Sequence, residues 1–75
     1  MIEKIQEVFR DILDEDDLEI TANSSPETIE DWDSIVQVDL LIALEGEFGV
    51  KFDLSDAKEI TQVSDIIRII ESKQS

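Results

Sequence analysis

The apolar positions of the first 14 residues fall at helical spacing. Ile2, Ile5, Phe9, Ile12 and Leu13 recur three and four residues apart and form one stripe, which predicts a helix over about 2–14. The charge run Asp14-Glu15-Asp16-Asp17 stops that pattern. Residues 15–33 then read as a long connection, with Leu18, Ile20 and Ile29 as its anchors to the core. A connection of this length in a small domain is uncommon and is often functional. Within it, Ser25-Pro26-Glu27 places a capping residue ahead of a proline at a first helical position, so a short helical turn is expected.

The strongest helical pattern runs over about 34–48, and Gly49 stands where a C-cap is expected. Residues 50–53 form a short link. Asp53 or Ser55 can cap a brief third helix over about 55–59. Thr61 can cap a fourth over about 62–72, with Val63, Ile66, Ile67 and Ile70 on one face. No strand alternation of useful length is present, nor any internal repeat. The expected fold is all-α: a small four-helix bundle of three main helices plus a short third one, forming a single domain over residues 1–75.

The second helix is apolar on two sides. At about 100° per residue, Val38, Leu40, Leu41, Leu44 and Phe48 cover one broad arc that must face the core. The opposite side is centred on Asp39 and carries Ile35, Val36, Ile42, Ala43 and Gly46. A solvent-facing surface there would show Lys, Glu and Gln. An apolar patch set among Asp33, Asp39, Glu45 and Glu47 is instead the pattern of a docking surface. Burial of the helix on all sides would explain the patch equally, but a bundle this small has few other helices to cover it. Gly46 costs about 0.5–1 kcal/mol relative to Ala in a helix interior, either because something approaches closely or because the helix tolerates it.

Composition narrows the chemistry. Seventy-five residues, 41% of them hydrophobic, suffice for one small folded domain with a thin core. There is no Cys and no His, which removes disulfides, thiolate metal sites and the commonest general base. No run reaches the roughly 20 apolar residues of a membrane span, and the charged N-terminus MIEKIQEVFR is not a signal peptide. The cytoplasm is the expected location. The opening Met, and an end soon after the last helical pattern, suggest a free-standing protein.

The net charge of −14 is concentrated. Between Arg10 and Lys51, forty residues contain no Lys or Arg and 13 acids. Such a field repels nucleic acid and anionic membranes, and it speeds encounter with basic protein surfaces.

Ser34 begins the second helix. Ser34-Ile35-Val36-Gln37 fits a capping box, in which the serine accepts from the Gln37 N–H and Gln37 reaches back. A hydrolase-type nucleophile is improbable without a His or a G-x-S-x-G elbow. A hydroxyl at a helix N-terminus is nevertheless exposed beside unpaired N–H groups, where a phosphate ester would be well placed.

Asp33-Ser34-Ile35, followed by Val38, Asp39, Leu40, Leu44-Glu45 and Glu47-Phe48, resembles an acyl carrier protein. The likeness continues through Lys51-Phe52, Asp56-Ala57 and Glu59-Ile60-Thr61-Gln62-Val63. The tripeptide alone is a weak signal, whereas the tripeptide with this helix, in an acidic chain of this length, is a strong one. The resemblance implies a four-helix bundle, no enzymatic activity of its own, and 4′-phosphopantetheine on Ser34, placed there from coenzyme A by a phosphopantetheinyl transferase. It makes Asp33 part of the recognition motif. It makes Ile35, Asp39, Ile42, Glu45 and Glu47, together with Val36 from the facial pattern, the surface gripped by basic patches of acyl-transfer and synthase enzymes. It also implies a monomer with no nucleic-acid or membrane partner.

Two features depart from the fatty-acid members. Asp31-Trp32 replaces the small pair usual before Asp-Ser, and Val36 and Gly46 stand where acids are frequent. The Trp-Asp-Ser form is similar to carriers of specialised biosynthesis, such as surface-polysaccharide or secondary-metabolite pathways. Trp32 can pack in the core or line an acyl cavity, and core packing is the safer expectation.

A different reading is an unmodified acidic interaction module that docks through Ile35, Val36 and Ile42. An EF-hand is excluded, because neither DEDDLEITANSS nor DWDSIVQVDLLI supplies the glycine needed at position six.

The charge map generates a stability prediction. Self-repulsion among 13 acids in forty residues should destabilise the fold at low ionic strength. The thermal midpoint is expected to rise from low to moderate salt or on adding magnesium. An unchanged midpoint contradicts this.

Overall fold

The first helix, α1 (Ile2–Leu13), buries Ile5 and Phe9 of the expected apolar stripe together with Val8, which lies outside it. The computed structural model describes residues 1–74. The helix stops one residue short of the expected end. Asp14 adopts left-handed geometry with φ 54°, and its N–H bonds the Arg10 carbonyl. Aspartate tolerates that conformation because its short polar side chain can bond locally.

The remaining helices are α2 (Ser34–Phe48), α3 (Leu54–Glu59) and α4 (Val63–Gln74). α2 ends as expected at Gly49, whose φ of 66° suits the left-handed cap and whose N–H bonds the Glu45 carbonyl. Asp53, one of the two expected caps, starts α3 through a capping box with Asp56. None of the six residues of α3 is buried. Lys73 ties the helix to α4 by an ion pair with Asp56 at 2.9 Å.

Leu40, Leu41 and Leu44 of α2 meet Ile5, Val8 and Phe9, and Val63, Ile66, Ile69 and Ile70 of α4 complete the centre. Ile69 therefore takes the inner place expected for Ile67, which is half-buried. Trp32 is 2% exposed and meets Phe9 edge-to-face at 5.0 Å, an arrangement favoured by the ring quadrupoles. Core packing is thus its role.

Val38 is a correction to the expected core arc. It lies in the exposed strip of α2, because Leu40, Leu41 and Leu44 define an inner face rotated away from it.

The connection between α1 and α2 is pinned along its length. Ile20 and Ile29 are buried, and Leu18 packs against the core from a half-buried position. α1 supplies two polar ties: the Arg10 Nε–H donates to the Leu18 carbonyl at 2.7 Å, and Gln6 Oε1 accepts the Ile20 N–H at 2.9 Å. The expected turn forms where the Ser25 carbonyl accepts from Thr28 and Ile29 and Ser25 Oγ accepts from Glu27.

The connection also caps α4. The Val63 and Ser64 N–H groups donate to the Ser24 and Ala22 carbonyls, each at 2.8 Å. Thr61 is therefore not the cap. Its hydroxyl and N–H both donate to Asp65 Oδ2, at 2.7 and 2.9 Å, and the helix begins at Val63. A hydroxyl that donates to a carboxylate makes a stronger bond than one accepting from an amide.

Those two bonds, the hydroxyl first, hold the Asp65 carboxyl below its ordinary value of 3.8. A depressed carboxylate contributes stability that is complete above its unfolded value and is lost as pH falls through its folded value. Asp65→Asn is therefore expected to lower the thermal midpoint at neutral pH. The gap to the wild-type chain should narrow as pH drops below 3.8. A gap that does not vary with pH would contradict this assignment.

Candidate functional site

The site begins at the end of the connection. Asp33 is extended, with φ −115° and ψ −174°, the non-helical geometry usual for an N-cap residue. Trp32 turns inward onto Phe9, and Ser34 turns outward. Asp33 itself caps α2: its Oδ1 accepts from the Ile35 N–H at 3.0 Å and the Val36 N–H at 2.8 Å.

The expected Ser34–Gln37 capping box is therefore corrected in both halves. Ser34 is the first helical residue, and the Gln37 N–H bonds the Asp33 carbonyl at 2.9 Å. The Gln37 side chain is used elsewhere. Its Oε1 accepts from the Trp32 Nε1–H at 2.7 Å, and its Nε2 donates to the Ala57 carbonyl at 3.3 Å. Two causes shift the cap. A carboxylate is the better acceptor at the positive end of a helix, and a buried indole N–H requires a partner. The N–H groups of Ile35 and Val36 are consequently occupied rather than free beside the serine.

The Ser34 hydroxyl is left exposed and makes no hydrogen bond among the described residues. It lies at the surface on a turn held from both sides, by the Asp33 cap and by buried Trp32. That arrangement fits a group esterified to the oxygen, because attachment would break no bond of the fold.

The residues expected beside it separate into two sets. Ile35 is 75% exposed, Ile42 62% and Val38 57%, with exposed Asp39 and Glu47 on the same helix. Val36 and Ala43 are instead half-buried and pack against the core, a correction to the face drawn around Asp39. Glu45 is also half-buried, and its Oε2 accepts the Phe52 N–H at 2.7 Å. One of its oxygens thus holds the link between α2 and α3. A Cβ added at Gly46 would meet nothing within 4 Å, so no close approach within the chain requires that glycine.

Leu54 was not singled out by sequence reasoning. It is 72% exposed at the start of α3. The available signal was a large aliphatic residue directly after the Asp53 cap, on a helix too short to bury a face.

Among the described residues, no group of three or more His, Cys, Asp or Glu is arranged to hold a metal ion. No helix there is long and apolar enough to cross a membrane.

A family model described as "Phosphopantetheine attachment site" matches residues 3–70. The acyl carrier protein of Petrotoga mobilis is 33% identical over 73 residues, covering 97% of this chain and 86% of that protein. That of Solidesulfovibrio magneticus is 36% identical over 74 residues, covering 96% and 92%. Among solved structures, the holo acyl carrier protein of Geobacter metallireducens superposes with a TM-score of 0.88 at 26% identity, over 97% of this chain and 84% of that one. The chain belongs to the acyl carrier proteins, the family that bears covalently attached 4′-phosphopantetheine and acts as a carrier, not as an enzyme.

Proposed function

We propose that Ser34 is the attachment point and that residues 1–75 act as one carrier domain. The observation that carries this reading is the Ser34 hydroxyl, which is exposed and unused by the helix it begins because Asp33 caps that helix in its place. In the transfer, Ser34 Oγ forms a phosphodiester with the phosphopantetheinyl phosphorus of coenzyme A. The bond to the nucleotide breaks, adenosine 3′,5′-bisphosphate leaves, and the serine proton passes to a base of the transferase. The attached group supplies a thiol that holds acyl cargo as a thioester, so the chemistry is the cofactor's, and delivery is the protein's.

The docking face assigned to partner enzymes comprises Ile35, Asp39, Ile42 and Glu47, extended by Val38 and Leu54. Exposed apolar area flanked by acids suits a partner with an apolar ridge and basic rim. Val36 and Glu45 act there mainly by holding the face in place. We assign the clients to biosynthesis of fatty-acid, polyketide or surface-polysaccharide type, and among these to specialised pathways rather than the main fatty-acid one. The support is Asp31-Trp32 at the place where fatty-acid carriers resemble one another in having small residues.

Incubation with coenzyme A and a broad-specificity phosphopantetheinyl transferase is expected to add one phosphopantetheinyl mass to the wild-type chain and none to Ser34→Ala. No gain in the wild type, or a gain that survives the substitution, contradicts the assignment. The docking face is tested by the rate of the same reaction. Asp39→Lys should lower kcat/KM for loading by on the order of tenfold at low salt, with the deficit shrinking as salt rises. Loading that is indifferent to the reversed charge would remove Asp39 from the interface.

A further inference from the structure

The strip beside Ser34 contains an element that attachment and docking leave unexplained. Gln37 spends both ends of its side-chain amide, one on Trp32 and one on the Ala57 carbonyl of α3. The orientation is dictated by chemistry: an indole N–H only donates and a carbonyl only accepts. The result is a relay from the segment before Ser34, through the first turn of α2, to α3.

α3 depends on such ties. Six residues are too few for a helix to persist alone. The described polar ties from other helices to α3 fall on two adjacent residues, the Gln37 bond on the Ala57 carbonyl and the Lys73 ion pair on Asp56. The core side of the Ser34 turn is filled by Trp32 against Phe9.

We propose that the Trp32–Gln37–Ala57 relay latches the seam between α2 and α3, so that this carrier keeps its cargo outside the bundle and takes a short or polar acyl group. The proposal rests on attachment at Ser34. An aliphatic chain entering the seam would part Gln37 from Ala57 or from Trp32. Methylenes supply no donor or acceptor in exchange, and a buried polar group left without a partner is costly. With the relay intact, the described residues hold no buried side-chain nitrogen or oxygen without a partner. The hollow lined by Glu15, Asp16, Asp17 and Leu18 offers no substitute, since three of its four residues are carboxylates. A short acyl group, or one carrying hydroxyl or amine groups, loses little by remaining in water.

The test uses the whole chain loaded from acetyl-, butyryl- and octanoyl-coenzyme A, with loading verified by mass. The readouts are the NMR shift of the Trp32 indole proton, its exchange rate with solvent, and the thermal midpoint. Wild-type acetyl and octanoyl forms are expected to agree in all three. An octanoyl form with a displaced indole resonance and a raised midpoint overturns the proposal, and that comparison needs no variant to fold. Gln37→Glu keeps an acceptor for Trp32 but removes the donor to Ala57. In this variant octanoyl should shift the indole resonance. Gln37→Ala, which removes both legs, should speed indole exchange in the unloaded chain by about five- to tenfold, the change expected when one hydrogen bond is lost. Exchange unaffected by Gln37→Ala overturns the latch. If no mass is gained, the attachment reading fails, while the exchange measurement on the unloaded chain still decides the latch.

Discussion

The pair of bonds from Asp33 Oδ1 to the Ile35 and Val36 amides is the constraint on which the site depends. It places the start of α2 one residue earlier than a serine cap would. It also holds Asp33 extended at the entry to the helix, between buried Trp32 and exposed Ser34. A serine that capped its own helix would have its oxygen committed to an amide. Here the neighbour carries that duty, and the hydroxyl is spare. The same carboxylate adds a negative charge at the positive end of the helix, which favours the helix electrostatically.

Around that turn, α2 reconciles two demands. Leu40, Leu41 and Leu44 must be buried to join α1 to α4, whereas Ile35, Val38 and Ile42 remain in water. Exposed aliphatic groups contribute little to the fold and invite association. The acidic field of the middle of the chain opposes self-association, since every copy carries the same sign. Acidity thus keeps copies apart and at the same time favours basic partners. The cost is self-repulsion, borne by a thin core of 15 buried hydrophobic residues among those described.

Much of the architecture was legible in the residues. All four helices were placed within two residues of their ends, because the apolar periodicity, the Gly49 stop and the Asp53 cap are local signals that tertiary packing did not override. The caps were less legible. Ser34 and Asp33 are both good N-cap residues by type, and the choice turned on the use of the Gln37 side chain by the buried indole of Trp32 and by the Ala57 carbonyl, 20 positions further along the chain. Thr61 lost its capping role for a similar reason, as carbonyls of the distant Ala22 and Ser24 already served α4. Val38, Val36 and Ala43 were misplaced because a helix apolar all round carries no single direction. Only the positions of α1 and α4 decide which arc is inner.

The most direct test compares two single substitutions by equilibrium unfolding. If Asp33 caps α2 and Ser34 does not, Asp33→Ala should cost about 1 kcal/mol, the usual value of a lost N-cap. Ser34→Ala should stay within about 0.5 kcal/mol of the wild-type chain, as exposed substitutions do. The reverse order, with the serine substitution costing a full cap and the aspartate substitution nearly silent, would contradict the division of labour from which the free hydroxyl follows.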